Sequence, residues 1–276
     1  MILEKRRKCS KIKLINSIIK RLIWDVKPVT LSHKDLRIDL ACSLRWADKL
    51  GLNEGVSNHF SVAVPDEKGT VLGSRFLVNP CGWHWSEITA SSLVLCDENG
   101  NVLEGTNEVE RSAFIIHSQI HLAAPHAKVI MHTHMPYATS LSMLENTRLE
   151  MCGQSALMFD QRIAYDGTYL GLAFDQAEGS RMASKLGNHS IMFMANHGVT
   201  VTGQNTAEAF TDLYYLERAS MFQVIASSTG KTLRTIPKEI QKNTREQFSK
   251  DRPKMAVRYF SALKRMLDEM DPGYRS

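Results

Sequence analysis

The sequence predicts an α/β fold, on three observations. Short apolar runs of strand length recur, the clearest at residues 129–131 and 190–194, and such runs bounded by turn residues read as buried strands. Stretches with apolar residues at helical spacing stand among them, as in Leu36, Leu40, Leu44 and Ala47. No internal repeat and no Pro/Gly/Ser-rich linker divides residues 32–276, so that span reads as one domain.

With 276 residues, 43% apolar and 23% charged, the chain has the composition of a soluble globular protein able to bury a sizeable core. It contains no apolar run of about 18 residues, so no transmembrane segment is expected. The five cysteines (Cys9, Cys42, Cys81, Cys96, Cys152) lack C-x-x-C spacing. That points to reduced thiols and a cytoplasmic compartment, and away from a disulfide framework or a cysteine zinc site.

Charge is concentrated at one end. Nine of the 34 Lys/Arg fall in residues 1–31 with two acids, a net of +7; the other 25 Lys/Arg and 27 Asp/Glu leave residues 32–276 at −2. Nucleic-acid binding needs a basic face on the folded domain, so no nucleic-acid partner is expected. Within residues 1–31, Ile12, Ile15, Ile18, Ile19, Leu22 and Ile23 recur at helical spacing with Lys11, Lys20 and Arg21 between them. This basic amphipathic extension can lie on an anionic membrane, form part of a targeting segment, or pack on its own domain.

From Ser32 the elements follow in order. Ser32 predicts the N-cap of a first helix and Gly51 its stop. Residues 55–64 alternate apolar and polar and predict a strand entered through a glycine-containing turn. In that turn Asn58 and its neighbouring amides either hold an anion or hydroxylated ligand or cap their own backbone. A strand over residues 74–80 ends at Pro80-Cys81-Gly82, a turn through which backbone can closely approach a ligand. Residues 93–97 and 102–103 predict a hairpin around Asn99-Gly100.

A helix is expected from Glu108 to about Ala124, with Val109, Ala113, Ile116, Ile120 and Ala124 as its apolar stripe. Ala113, His117 and His121 form a second row, and histidines beside such a stripe read as buried, hydrogen-bonded residues before ligands. Pro136 opens a short helix to about Leu144, residues 155–165 read as strand and turn, and Asp175 caps a helix to Leu186. Thr206 is expected to cap a helix to about Ala226, and two more charged amphipathic helices follow Pro237.

The chemistry gathers at His132-Thr133-His134. Residues two apart on a strand share a face, so both imidazoles can aim at one point, as two ligands of a single divalent ion require. The same pair also fits incidental surface or hydrogen-bonded histidines. His197, at the end of the strand over residues 190–194 and beside Gly198, has the placement of a third ligand arriving from a separate strand.

These segments resemble the class II aldolase/adducin family, adducin-like bacterial branch. The matching stretches are Gly51-Leu52, Ser57-Asn58-His59-Phe60-Ser61, Asn79-Pro80-Cys81-Gly82, Ala113-Phe114-Ile115-Ile116-His117-Ser118, His132-Thr133-His134, Asn196-His197-Gly198 and Asp271-Pro272-Gly273-Tyr274. The resemblance implies a three-layer αβα sandwich with a central, largely antiparallel sheet, and a homotetramer with its metal site near a subunit interface. It implies a divalent metal, zinc foremost and iron second, held by His132, His134 and His197. It also implies that Asn58, Gly82, Arg111 and Ser112 position a small anionic or oxygenated substrate. Where the aldolases of the family carry a glutamate acid/base, this chain has Ala113. Glu110, one turn earlier, reads as an exposed first-turn glutamate favourable to the helix dipole.

Three functions are compatible with this pattern. The first is a metal-dependent lyase cleaving a carbon–carbon bond next to a carbonyl, with Tyr137, His121 or water carrying the proton. The second is a non-enzymatic adducin-like assembly protein, and the third a three-histidine iron oxygenase or decarboxylase.

Overall fold

The computed structural model describes residues 31–66, 68–146, 148–172 and 175–276. The basic extension expected over residues 1–31 lies, but for Leu31, outside the described residues. Eight strands form one mixed sheet: β1 (His59–Ala63), β2 (Arg75–Val78), β3 (Val94–Asp97), β4 (Val102–Glu104), β5 (Val129–Thr133), β6 (Ile163–Asp166), β7 (Ile191–Met194) and β8 (Gly198–Gly203). Their order is β4-β3-β2-β1-β5-β8-β7-β6. Every pairing is antiparallel except the parallel β6–β7 edge.

Six α-helices are described: α1 (Lys34–Lys49), α2 (Arg111–Ala123), α3 (Pro136–Ser142), α4 (Gln176–Leu186), α5 (Thr206–Ser227) and α6 (Lys238–Met270). The period-two alternation of the strands sorts them into two layers. Phe60 and Val62 of β1, Val129 and Met131 of β5, and Ile191 and Phe193 of β7 join one core with Leu40 and Leu44 of α1, Phe210 and Leu213 of α5 and Leu263 of α6. Ile130 of β5 and Met192 and Met194 of β7 turn to the other face, against Ile116 and Ile120 of α2 and Met182 and Leu186 of α4. The fold is therefore a three-layer αβα sandwich with a largely antiparallel sheet. Among the described residues no helix is long and apolar enough to cross a membrane.

Several boundaries differ from the sequence expectation for identifiable reasons. His33, in the left-handed region at φ 58°, precedes α1 in place of Ser32. Asn205, whose side chain accepts from the Glu208 N–H, caps α5 in place of Thr206. Residues 156–159 form a 3-10 turn, leaving β6 to begin at Ile163. After Pro237 there is one helix of 33 residues, although Pro253 lies inside it. Proline removes an N–H and frees the carbonyl four residues back; Pro253 and Ser249 are both exposed, so water can take that carbonyl. Ion pairs from Arg245 to Asp160 and from Arg252 to Asp212 hold the helix to the body just before Pro253.

The helix after the histidine pair is anchored from outside itself. Glu217 of α5, buried, accepts from the N–H groups of Tyr137 (2.8 Å) and Ala138 (2.9 Å) at the start of α3. Burial raises its pKa, and these two N–H bonds pull it back. Removing the carboxylate leaves two helix N-terminal donors without their acceptor, at a cost of about 1–3 kcal/mol. Glu217→Ala is expected to lower stability by that amount in urea unfolding; a change within about 0.5 kcal/mol, the range of ordinary surface substitutions, contradicts this anchoring.

Candidate metal centre

The site grows from the pairing of β1 with β5, which sets His59 opposite His132. Alternation turns His132 toward the α2 layer, the face of its neighbour Ile130. β5 ends at Thr133, and His134 follows immediately, before Pro136 opens α3. His197 comes from the turn between β7 and β8. Ring centroids are 5.0 Å apart for His132 and His134, and 4.9 Å for His197 with each of them. One ring nitrogen from each of the three lies within 4.8 Å of the others.

Two of the three rings spend their other nitrogen on a fixed acceptor. His132 Nδ1 donates to the Val199 carbonyl at 3.0 Å, and His134 Nδ1 bonds the Glu54 carboxylate. These two rings therefore turn Nε2 inward, and His134 Nε2 is buried with no partner among the described residues. Burial, then the neighbouring histidines, hold His132 well below its ordinary pKa and bring His197 down to about 4. These rings are neutral at pH 7, which is the form that ligates a metal.

Backbone geometry supports the cluster. Asn58 takes φ 77°, and its Oδ1 accepts from the Glu54 N–H (3.1 Å) and the His134 N–H (3.3 Å). One side chain thus positions both His134 and the carboxylate that orients its ring. At Gly198 an added Cβ meets the Thr133 carbonyl at 2.6 Å and His134 Cδ2 at 2.9 Å, so only glycine lets β8 pass this close.

A cavity of about 330 Å³ opens over the three histidines, and Asn58, Gly82 and Ser112 line it with them. Arg111, exposed at the start of α2, is not part of that lining. A larger hollow of about 490 Å³, beside Asp166 and Asn196, holds no histidine, so chemistry and not size selects the first cavity. Glu110 also lines the histidine cavity. It is a half-buried N-cap, not the exposed glutamate expected: its Oε2 bonds the Ser112 hydroxyl and the Ala113 N–H (2.8 Å). Burial raises its pKa, but these bonds outweigh that and leave it lowered. Ala113 packs among Phe76, Val78, Val94 and Cys96. His121 and Tyr137, expected as proton carriers, lie outside the lining.

His59 also lines the cavity and was not singled out in the sequence, because its neighbours there come from α2 and β5. Glu54 was missed too: only the turn that brings residue 54 to residue 134 reveals it.

A sheet of this order between two helix layers, with three histidines converging at its central strand ends, defines an αβα protein built around a candidate metal centre. The chain belongs to the family described as class II aldolase and adducin N-terminal domain, whose profile matches residues 38–224. An adducin-related protein of Schizosaccharomyces pombe is 31% identical over 254 residues, covering 87% of this chain and 76% of that one. The crystal structure of an aldolase II superfamily protein from Pseudomonas syringae superposes with a TM-score of 0.82 at 29% identity, covering 93% of this chain and 100% of that one. L-fuculose 1-phosphate aldolase from Glaciozyma antarctica PI12 shares the fold, with a TM-score of 0.76 at 24% identity over 91% of this chain and 97% of that one.

Burial lowers the pKa of His59, His121 and His197 from 6.5 to about 4. A histidine depressed in the folded state stabilises the fold above its unfolded pKa, and that contribution disappears as pH falls toward the folded value. The urea midpoint of chelator-treated protein is expected to hold level above about pH 6.5 and to fall between there and about pH 4. A level midpoint across that window contradicts neutral buried histidines.

Proposed function

We propose that this chain is a metal-dependent lyase of the class II aldolase kind, in which His132, His134 and His197 hold one divalent ion. The reaction is cleavage of a carbon–carbon bond next to a carbonyl in a small oxygenated substrate. The observation that carries this reading is the donor set. Three imidazoles converge, two spend Nδ1 on a carbonyl and a carboxylate, and His134 Nε2 is buried without a partner among the described residues. Buried polar atoms are ordinarily paired, and metal-bound histidines ordinarily donate their second N–H to a carbonyl or carboxylate. Zinc is the first choice for this imidazole set and iron the second.

When bound, the ion supplies a Lewis acid that stabilises negative charge developing on the substrate's oxygen. Around it, the chain's own groups bind and orient. The Asn58 Nδ2, buried and without a partner among the described residues, offers its N–H to a substrate oxygen. Gly82, at φ +74° with open space where a Cβ would stand, lets the substrate approach the backbone. Ser112 lines the cavity with its hydroxyl proton held by Glu110, and Arg111 adds positive charge beside it in the chain. The same reading includes a cytoplasmic homotetramer acting on a small oxygenated or anionic molecule, with no nucleic-acid partner.

Ala113 favours a second reading. It stands where the aldolase resemblance calls for a glutamate, and it is packed in an apolar cluster. An alanine can neither coordinate a metal nor move a proton, so it favours a non-enzymatic adducin-like assembly protein and is compatible with a three-histidine iron decarboxylase or oxygenase.

Metal content by inductively coupled plasma mass spectrometry separates these readings. Near-stoichiometric zinc, lost in His132→Ala and His134→Ala, is the expected result. Stoichiometric iron lost in the same variants selects the iron oxygenase or decarboxylase. No metal in the reconstituted wild type, or full occupancy in His134→Ala, overturns the site and favours an adducin-like assembly role.

A further inference from the structure

Behind the three histidines a second set of polar side chains runs through the α2 layer, and it is not used by the centre described above. His121 Nδ1 contacts the Ala127 carbonyl at 2.7 Å, and His121 Nε2 contacts Ser61 Oγ at 2.8 Å. Ser61 Oγ contacts His117 Nδ1 at 2.6 Å, and His117 Nε2 contacts His59 Nδ1 at 2.8 Å. All four side chains are buried. Among the described residues none of the three histidines bonds a carboxylate, and burial holds His117 and His121 below the ordinary histidine pKa, so both rings carry a single proton at pH 7.

Proton counting then fixes the direction of every bond. A backbone carbonyl only accepts, so His121 carries its proton on Nδ1 and accepts on Nε2. The single hydroxyl proton of Ser61 therefore goes to His121, and Ser61 must accept from His117 Nδ1–H. His117 in turn accepts on Nε2 from His59 Nδ1–H. The chain ends at His59, with Nε2 left as a lone pair and no hydrogen-bond partner among the described residues. His59 lines the cavity, as does Glu110, whose carboxylate also accepts from its own helix. The cavity beside the candidate metal ligands therefore presents two acceptors to whatever enters.

We infer that His59 is a substrate-binding residue whose Nε2 accepts a hydrogen bond from a substrate hydroxyl, and that the Ala127–His121–Ser61–His117 chain sets it to accept. The site then selects a molecule with a hydroxyl next to the atoms held by the ion, an α-hydroxycarbonyl compound with a second hydroxyl in reach of His59. This rests on the reading of the cavity as a metal-dependent substrate site. His117, Ser61 and His121 are positioning residues; they act through His59 and do not meet the substrate.

The tautomers are read directly from nitrogen-15 NMR of histidine-labelled full-length protein, with zinc and after chelation. The expected spectrum shows His59, His117 and His121 all protonated on Nδ1 and bare on Nε2; a proton on His59 Nε2 in the wild type overturns the inference without recourse to any variant. In His121→Phe the Ser61 hydroxyl is free to donate to His117, which reverses the chain and should move the His59 proton to Nε2. An unchanged His59 tautomer in a folded His121→Phe overturns the relay. In zinc-loaded wild type, dihydroxyacetone is expected to bind about tenfold tighter than hydroxyacetone, the worth of one hydrogen bond, and His121→Phe should erase that difference. Equal affinity in the wild type overturns the substrate class. Zinc content is read separately: protein that holds zinc but shows His59 protonated on Nε2 sinks this inference alone, and protein with the expected tautomers that holds no zinc sinks the metal reading alone.

Discussion

The register that sets His59 against His132, and Ser61 against Ile130, is the constraint on which the rest of the site depends. A strand has a side-chain period of two, so a slip of one residue sends every side chain to the opposite face. Here the slip would drive Phe60 and Val62 out of the larger core and press His59 and Ser61 into it. The apolar core thus enforces the register, and the register places the polar groups. The site residues of β1 and β5 are held by hydrophobic burial of their neighbours more than by their own bonds.

That arrangement buries an unusual number of imidazoles: His59, His117, His121 and His132 are all under 7% exposed. Burying a polar group without a partner costs several kcal/mol, and the structure meets that cost with directional acceptors. Val199, Ala127 and Ser61 each take or relay one proton. The same logic appears at Arg37, 1% exposed, which donates to the Leu93 carbonyl and to Glu104. Asp212, fully buried, is paired by Arg162 and Arg252. Two buried nitrogens in the candidate site stand outside this accounting, His134 Nε2 and Asn58 Nδ2. Both are at the cavity that holds the converging rings.

Much of this was legible beforehand for local reasons. The apolar runs at β5 and β7 are too short for helices and lack polar alternation, which is what strands buried on both faces require. Asp175 announces α4 through its cap, as Pro136 announces α3 at its first position. The misreadings also have local causes. A proline ordinarily ends a helix, but α6 continues through Pro253, with ion pairs to the body just before it, where the freed carbonyl faces water. Glu110 looked like a first-turn glutamate because spacing says nothing of the cavity its carboxylate borders. Glu54 carried no signal, since its role exists only when the turn at Asn58 folds it against His134.

By itself the sequence determined the elements, their burial pattern and the nomination of His132, His134 and His197, because periodicity and turn chemistry are properties of neighbouring residues. Only the tertiary structure decided which partners each imidazole has, and hence which nitrogen carries its proton. That decision belongs to groups far apart in the chain: Val199 for His132, Glu54 for His134, and, for His59, His117 and Ser61 with the Ala127 carbonyl behind them. A histidine is the same residue in every sequence; whether it accepts, donates or ligates is set by the acceptor that the fold brings to its other edge.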